Sequence, residues 1–195
     1  MLIHKRFFAF GWVCSLLLLG GCVTTDIKAP GAGGFLAQGK LSARPGPSGT
    51  AFRPVTANFV WRQEAETFEI EMWGPLGQGR TRLMGTADSV EWVDASGKRQ
   101  VSRDPQALMQ AQLGWSLPLA ALPFWMQGQL APGQAPSDEQ RSATGELLSI
   151  QQDRWSLQFL RYKEHPKDGG VVRRPGLIRG DSEELKVSIS IREWR

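Results

Sequence analysis

From Phe35 onward the chain alternates apolar and polar residues with a period of two, and few features restrict a fold more. Side chains of a strand point alternately to opposite faces, so a run that keeps this period buries one face and wets the other. FLAQGKLSAR, TANFVWRQ, ETFEIEMW, RTRLMGT, DSVEWVDA and RQVS follow one another, separated by Gly, Pro, Asp and Ser, as consecutive antiparallel strands are. Ala57, Phe59 and Trp61 share one face, as do Phe68, Ile70 and Met72, while Arg62, Thr67, Glu69 and Glu71 take the other. A sheet covered on a single side is expected. DASGKR, residues 94 to 99, reads as a hairpin turn.

The period changes in the middle of the chain. Asp104 suits a helix N-cap with Pro105 at the first position, Leu108, Met109 and Leu113 make a stripe, and Gly114 ends it. A second helical stretch is expected in LPLAALPFWMQG, starting at Pro118, kinked or restarted at Pro123 and stopped at Gly128. QLAPGQAPSDEQRSAT, residues 129 to 144, reads as a polar loop. Strands resume as GELLSIQ and RWSLQFLRYK, break at EHPKDGGVVRRPG, and finish in LKVSISIREW. Seven or more antiparallel strands with two apolar helices predict a strongly curved sheet with helices over its concave face. Complete filling would make an ordinary core; incomplete filling would leave a cavity for an apolar ligand.

The N-terminus is a different kind of sequence. Lys5 and Arg6 precede an apolar run from Phe7 to Leu19, then Gly20, Gly21 and Cys22, which is the pattern of a secretory signal over residues 1–21. Leu19-Gly20-Gly21-Cys22 resembles the lipobox of bacterial lipoproteins, which implies S-diacylglycerol and N-acyl modification at Cys22. Cys14 leaves with the signal, so Cys22 has no partner for a disulfide. Residues 22–34 read as the lipidated end and a flexible tether, and residues 35–195 as a single domain. Val23 after the cysteine points, by the enterobacterial sorting pattern, to the outer membrane rather than the inner.

Composition narrows the function by exclusion. Of 23 Lys and Arg, Lys5 and Arg6 leave with the signal while all 19 Asp and Glu stay, so the mature chain is nearly neutral and lacks the basic stripe of a nucleic-acid binder. His165 is the sole histidine beyond the signal, in a Pro, Gly and Lys-rich loop where solvation is expected; neither a Ser-His-Asp triad nor a zinc site can be assembled around it without help. GPLGQG at 74–79 has neither dinucleotide-binding nor P-loop spacing. No catalytic residue, metal or cofactor is assigned, and an enzyme is not expected.

In that same turn Leu76 stands between Pro75 and Gly77, where it supplies none of the backbone properties that turns select. GKLS at 39–42, ANFVW at 57–61, GPLGQG at 74–79, LGWSLPLAALPFWMQG at 113–128 and VSISIREW at 187–194 together resemble the LolB family of lipoprotein receptors. The resemblance implies an unclosed antiparallel half-barrel enclosing an apolar cavity under a helical lid, lipid-anchored on the periplasmic face of the outer membrane. It also implies a monomer that accepts lipoproteins from the periplasmic carrier LolA and inserts them into the inner leaflet, with Gly74, Pro75, Leu76 and Gly77 as the membrane-insertion loop. Relatives often have a longer amphipathic helix before GKLS, where this chain has VTTDIKAPGAGG.

Strand parity then places Phe59, Trp61, Phe68, Ile70, Met72, Leu83 and Trp92 on the wall for acyl chains, with Leu119, Leu122, Trp125 and Met126 from the lid. Trp73 is expected at the lipid interface, and Arg80, Arg82, Arg173 and Arg174 are candidates for an acidic partner rim. Two other functions fit such a chain: a periplasmic lipid or glycolipid carrier, which would not need Leu76, and a structural outer-membrane assembly lipoprotein, which would have a filled core.

Overall fold

The computed structural model describes residues 34–49, 51–167 and 169–195. The signal segment, the Cys22 lipidation position and nearly all of the tether lie outside the described residues. Eleven strands form one antiparallel sheet. In chain order they are β1 (Phe35–Pro45), β2 (Val55–Glu64), β3 (Thr67–Trp73), β4 (Thr81–Gly85), β5 (Val90–Val93), β6 (Arg99–Ser102), β7 (Ser137–Arg141), β8 (Leu147–Gln152), β9 (Trp155–Leu160), β12 (Leu177–Asp181) and β13 (Leu185–Trp194). A separate hairpin pairs β10 (Lys163–Lys167) with β11 (Gly170–Arg174). The sheet order is β6-β5-β4-β3-β2-β1-β13-β12-β9-β8-β7, and its edges β6 and β7 do not pair with each other. The barrel is therefore open.

The period-two pattern explains the register. Ala37 pairs with Trp61, Trp61 with Ile70, Ile70 with Leu83 and Leu83 with Trp92, so one apolar row crosses five strands on the inner face. The middle of the sheet joins the two ends of the domain: β1 lies against β13, with Ala37 opposite Trp194. A bulge between Gln38 and Gly39 interrupts that pairing, and bulges bend the strand that carries them. A Cβ on Gly39 would lie 2.0 Å from the Ser190 carbonyl oxygen, so only glycine allows the two backbones this close.

Two short helices, α1 (Pro105–Leu113) and α2 (Leu122–Met126), cover the concave side. Asp104 caps α1 by accepting from the Ala107 amide at 2.9 Å, and Gly114 closes it at a φ of 79°. The second helix is shorter than the sequence pattern predicts. A helix through Pro123 would lose the backbone bond that proline cannot donate. The chain instead turns at Pro118, whose carbonyl accepts from the Ala121 and Leu122 amides at 3.0 Å, and begins the helix anew at Leu122.

Three further elements differ from the sequence reading. Residues 129–144 are not all loop, because Ser137–Arg141 forms β7. Every residue of β7 is exposed, so it has no buried face to imprint a pattern on the sequence. The break at 164–176 holds the β10–β11 hairpin, which begins one residue earlier at Lys163, and Leu177–Asp181 forms β12 between β9 and β13.

Gln152 fixes the lid to the sheet. Only 4% exposed, it accepts from Trp125 Nε1 at 2.8 Å and from the Ala131 amide at 3.2 Å. It donates to the carbonyls of Ala131 and Gln134, both at 2.9 Å. All its hydrogen-bonding capacity is used, and buried polar groups left unpaired are costly. Replacing Gln152 with Leu strands an indole N–H, an amide and two carbonyls; the expected loss is about 3 kcal/mol of unfolding free energy, read by urea denaturation.

Candidate functional site

The concave wall and its cover meet around a cavity lined only by apolar side chains. Phe59, Trp61, Ile70, Met72 and Leu83 supply the sheet side, and Leu119, Leu122 and Met126 the lid side. Five residues not picked out by parity also line it: Leu41 and Ile189 from β1 and β13, Met109 from α1, and Trp115 and Leu117 from the segment joining the helices. Leu41 and Ile189 follow the same alternation as the others, and their positions in GKLS and VSISIREW were signal enough to find them.

Phe68, Trp92 and Trp125 are buried but do not line this space. Phe68 packs against Trp61 with ring centroids 6.0 Å apart, and Trp125 lies 6.2 Å from Trp155 while donating to Gln152. Trp92 is the next position in the apolar row, and its Nε1 is buried with no hydrogen-bond partner among the described residues.

The cavity measures about 30 Å³. The enclosed space expected for acyl chains is therefore nearly filled, because Met109, Leu119, Leu122 and Met126 project into the trough. Room of this size suffices for a water or two, far less than an acyl chain requires.

The β3–β4 turn presents the opposite situation. Gly77 donates to the Gly74 carbonyl at 2.9 Å and Gly74 to the Gln78 carbonyl at 2.8 Å. Gln78 Oε1 accepts from the Leu76 amide at 3.0 Å. Pro75 sits at the turn position that its fixed φ suits, and Gly77 and Gly79 adopt φ of 84° and 64°. A turn tied by its own hydrogen bonds leaves Leu76 93% exposed. Trp73 is half-buried, with the Arg80 guanidinium 4.6 Å above its ring.

The four arginines considered for an acidic partner are engaged within the domain. Arg80 holds Glu71 at 2.6 Å, Arg82 holds Glu69 and Glu71 at 3.2 and 3.0 Å, and Arg173 holds Glu146 at 2.5 Å. Arg174 is only 6% exposed. It stacks 4.6 Å from the Trp194 ring and donates to Gln127 Oε1 at 3.4 Å, joining the hairpin to the end of α2. Beside this joint Tyr162 donates to the Leu147 carbonyl at 2.8 Å, and burial pushes its hydroxyl up to about 12.

His165, expected to be a solvated loop residue, instead lies in β10 with its ring edge against Trp194, 6.3 Å between centroids. Burial first, then the positive charges of Arg174 and Lys163, holds its imidazole below the usual histidine range. The folded chain thus resists a proton that the unfolded chain accepts. Stability is full above the ordinary histidine value of 6.5 and falls as pH drops through it. Melting curves at descending pH are expected to show this loss, and His165→Asn to remove its share.

An open antiparallel half-barrel with a wholly apolar, helix-covered inner wall and a leucine held out at its rim defines the class of lidded half-barrels built around an apolar trough. The chain belongs to the LolB family, because the profile described as "Outer membrane lipoprotein LolB" matches residues 34–194. Its relatives include an outer-membrane lipoprotein LolB of Stutzerimonas stutzeri, 32% identical over 93% of this chain and 92% of that protein. A LolB of Pseudomonas syringae pv. syringae is 31% identical over 83% and 74%, and one of Cellvibrio japonicus 27% over 81% and 75%. Among solved structures, a LolA superfamily protein from Nitrosomonas europaea aligns with a TM-score of 0.44 at 10% identity, covering 82% of this chain and 85% of that one.

Proposed function

We propose that the protein takes lipoproteins from the periplasmic carrier LolA, holds their acyl chains on the concave wall, and releases them into the inner leaflet of the outer membrane. The observation that carries this reading is the match of residues 34–194 to the LolB family, on a domain whose apolar trough is closed by a cover of apolar side chains. Acyl chains and lid are then alternative occupants. Displacing Trp115, Leu117 and Leu119 exposes apolar surface that the incoming chains cover again, so little net area meets water during exchange. Each methylene that remains buried contributes about 0.8 kcal/mol. Handover requires no covalent step, and its direction follows from a higher affinity in the receptor, tenfold for each 1.4 kcal/mol or so.

Cys22 carries the acyl groups that hold the protein itself on the membrane; two or more chains anchor stably where one does not. The turn 74–77 acts on the membrane. Burying Leu76 in lipid gains roughly 1.5–3 kcal/mol, too little for an anchor beside acyl chains but enough to disturb head-group packing at one point.

Mixing the domain with a carrier loaded with one radiolabelled lipoprotein tests the receptor role, and the label is expected to move to the domain. Label left on a competent carrier would favour a free-lipid carrier or a scaffold. Leu76→Glu is expected to change unfolding free energy by less than about 0.5 kcal/mol, since the side chain touches solvent. It should leave uptake intact and block insertion into vesicles; loss of uptake with insertion would overturn the assigned role of the turn.

A further inference from the structure

We propose that the outer face of the sheet carries a second site, a basic depression that takes the phosphodiester head group of an anionic phospholipid. The proposal rests on the reading of the Leu76 turn as the part of the domain that meets the membrane. Strands β1 and β13 set Arg44 directly opposite Lys186. Like charges opposed across a strand pair are destabilising, and the one carboxylate that offsets them is Asp181, opposite Lys186 on β12. Arg179 on β12 is registered with Ser188, two residues along the same face from Lys186. Among the described residues neither Arg44 nor Arg179 enters an ion pair, and Lys186 reaches Asp181 only at 4.0 Å. Farther across the sheet, Arg82 on β4 and Arg99 on β6 each hold a glutamate.

These three cations rim a depression of about 320 Å³ that also includes Ser42, Thr56 and Ser188 and has Asp181 as its single acidic side chain. Guanidinium groups present paired donors that match phosphate oxygens, and hydroxyls add further donors. Strand directions put the depression at the same end of the sheet as the turn. Strand β3 ends at Trp73 opposite Asn58. From Asn58, β2 runs back through Thr56 to Val55 beside Ala43, next to Arg44. A domain touching an anionic surface there places Leu76 in the apolar layer and the cations among head groups, which fixes how the trough faces the membrane.

The chain from residue 22 onward, with Cys22→Ala so that no acyl chain carries it, is sedimented with vesicles of phosphatidylcholine alone or mixed with phosphatidylglycerol. Binding is expected to be tighter on the mixed vesicles and to weaken with salt, as exposed charges do. Arg44→Glu gives Lys186 an opposite charge, so its melting temperature is expected to hold or rise while binding to the mixed vesicles falls roughly tenfold. Arg179→Ala checks the same loss, about fivefold, without a reversed charge. Leu76→Ser, which removes the apolar side chain without adding charge, should weaken binding to both compositions alike, which separates failure of the turn from failure of the site. Unchanged binding of Arg44→Glu to mixed vesicles would overturn the proposal. If the substitution weakened only the meeting with a loaded carrier, the site would belong to an acidic protein surface and the lipid assignment would fall.

Discussion

Everything in this domain follows from an apolar sheet face that the sheet does not enclose by itself. With β6 and β7 unpaired to each other, the row Ala37, Trp61, Ile70, Leu83, Trp92 would meet water unless something covers it. The two helices and the segment between them do so, and their side chains leave about 30 Å³. Hydrophobic burial is non-directional, so the wall accepts one apolar cover as readily as another. The proposed exchange of lid and acyl chain rests on that indifference.

The cover is not held uniformly. Its far end is fixed by directional bonds: Gln152 grips Trp125 and the chain at Ala131, Arg174 reaches Gln127, and Gly128 turns at a φ of 72° against Tyr162. Between the helices, Trp115, Leu117 and Leu119 contribute apolar contacts to the trough. The other end is tied too, with Gln112 of α1 donating to Gln100 of β6 at 3.3 Å, so the stretch between the helices is the part of the cover held by apolar contacts. The strand period adds a second division of labour. Inner positions carry the trough, while outer ones carry the ion pairs of β3, β4 and β6 and the unpaired cations of β1 and β12.

Much of this was legible beforehand. Strands β1 to β6, β8, β9 and β13 follow from the strand pattern, α1 from Asp104 and Gly114, and the wall from parity at Phe59, Trp61, Ile70, Met72 and Leu83. Strand β7 was hidden because all five of its residues face solvent, and the β10–β11 hairpin because Gly and Pro punctuate it. His165 and Arg174 were misread for one reason: a polar composition says nothing about a tryptophan brought over from the far end of the chain.

The sequence by itself determined the local terms, namely which residues of each strand share a face, where α1 starts and stops, and that a bare leucine stands between Pro75 and Gly77 in the β3–β4 turn. These depend on backbone geometry within a few residues. Only the tertiary structure decided that the sheet stays open, that the lid fills the trough almost completely, and that Arg44, Lys186 and Arg179 meet on one outer patch. Those outcomes depend on strand pairing between distant segments and on summed side-chain volumes, neither of which has a signature at any single position.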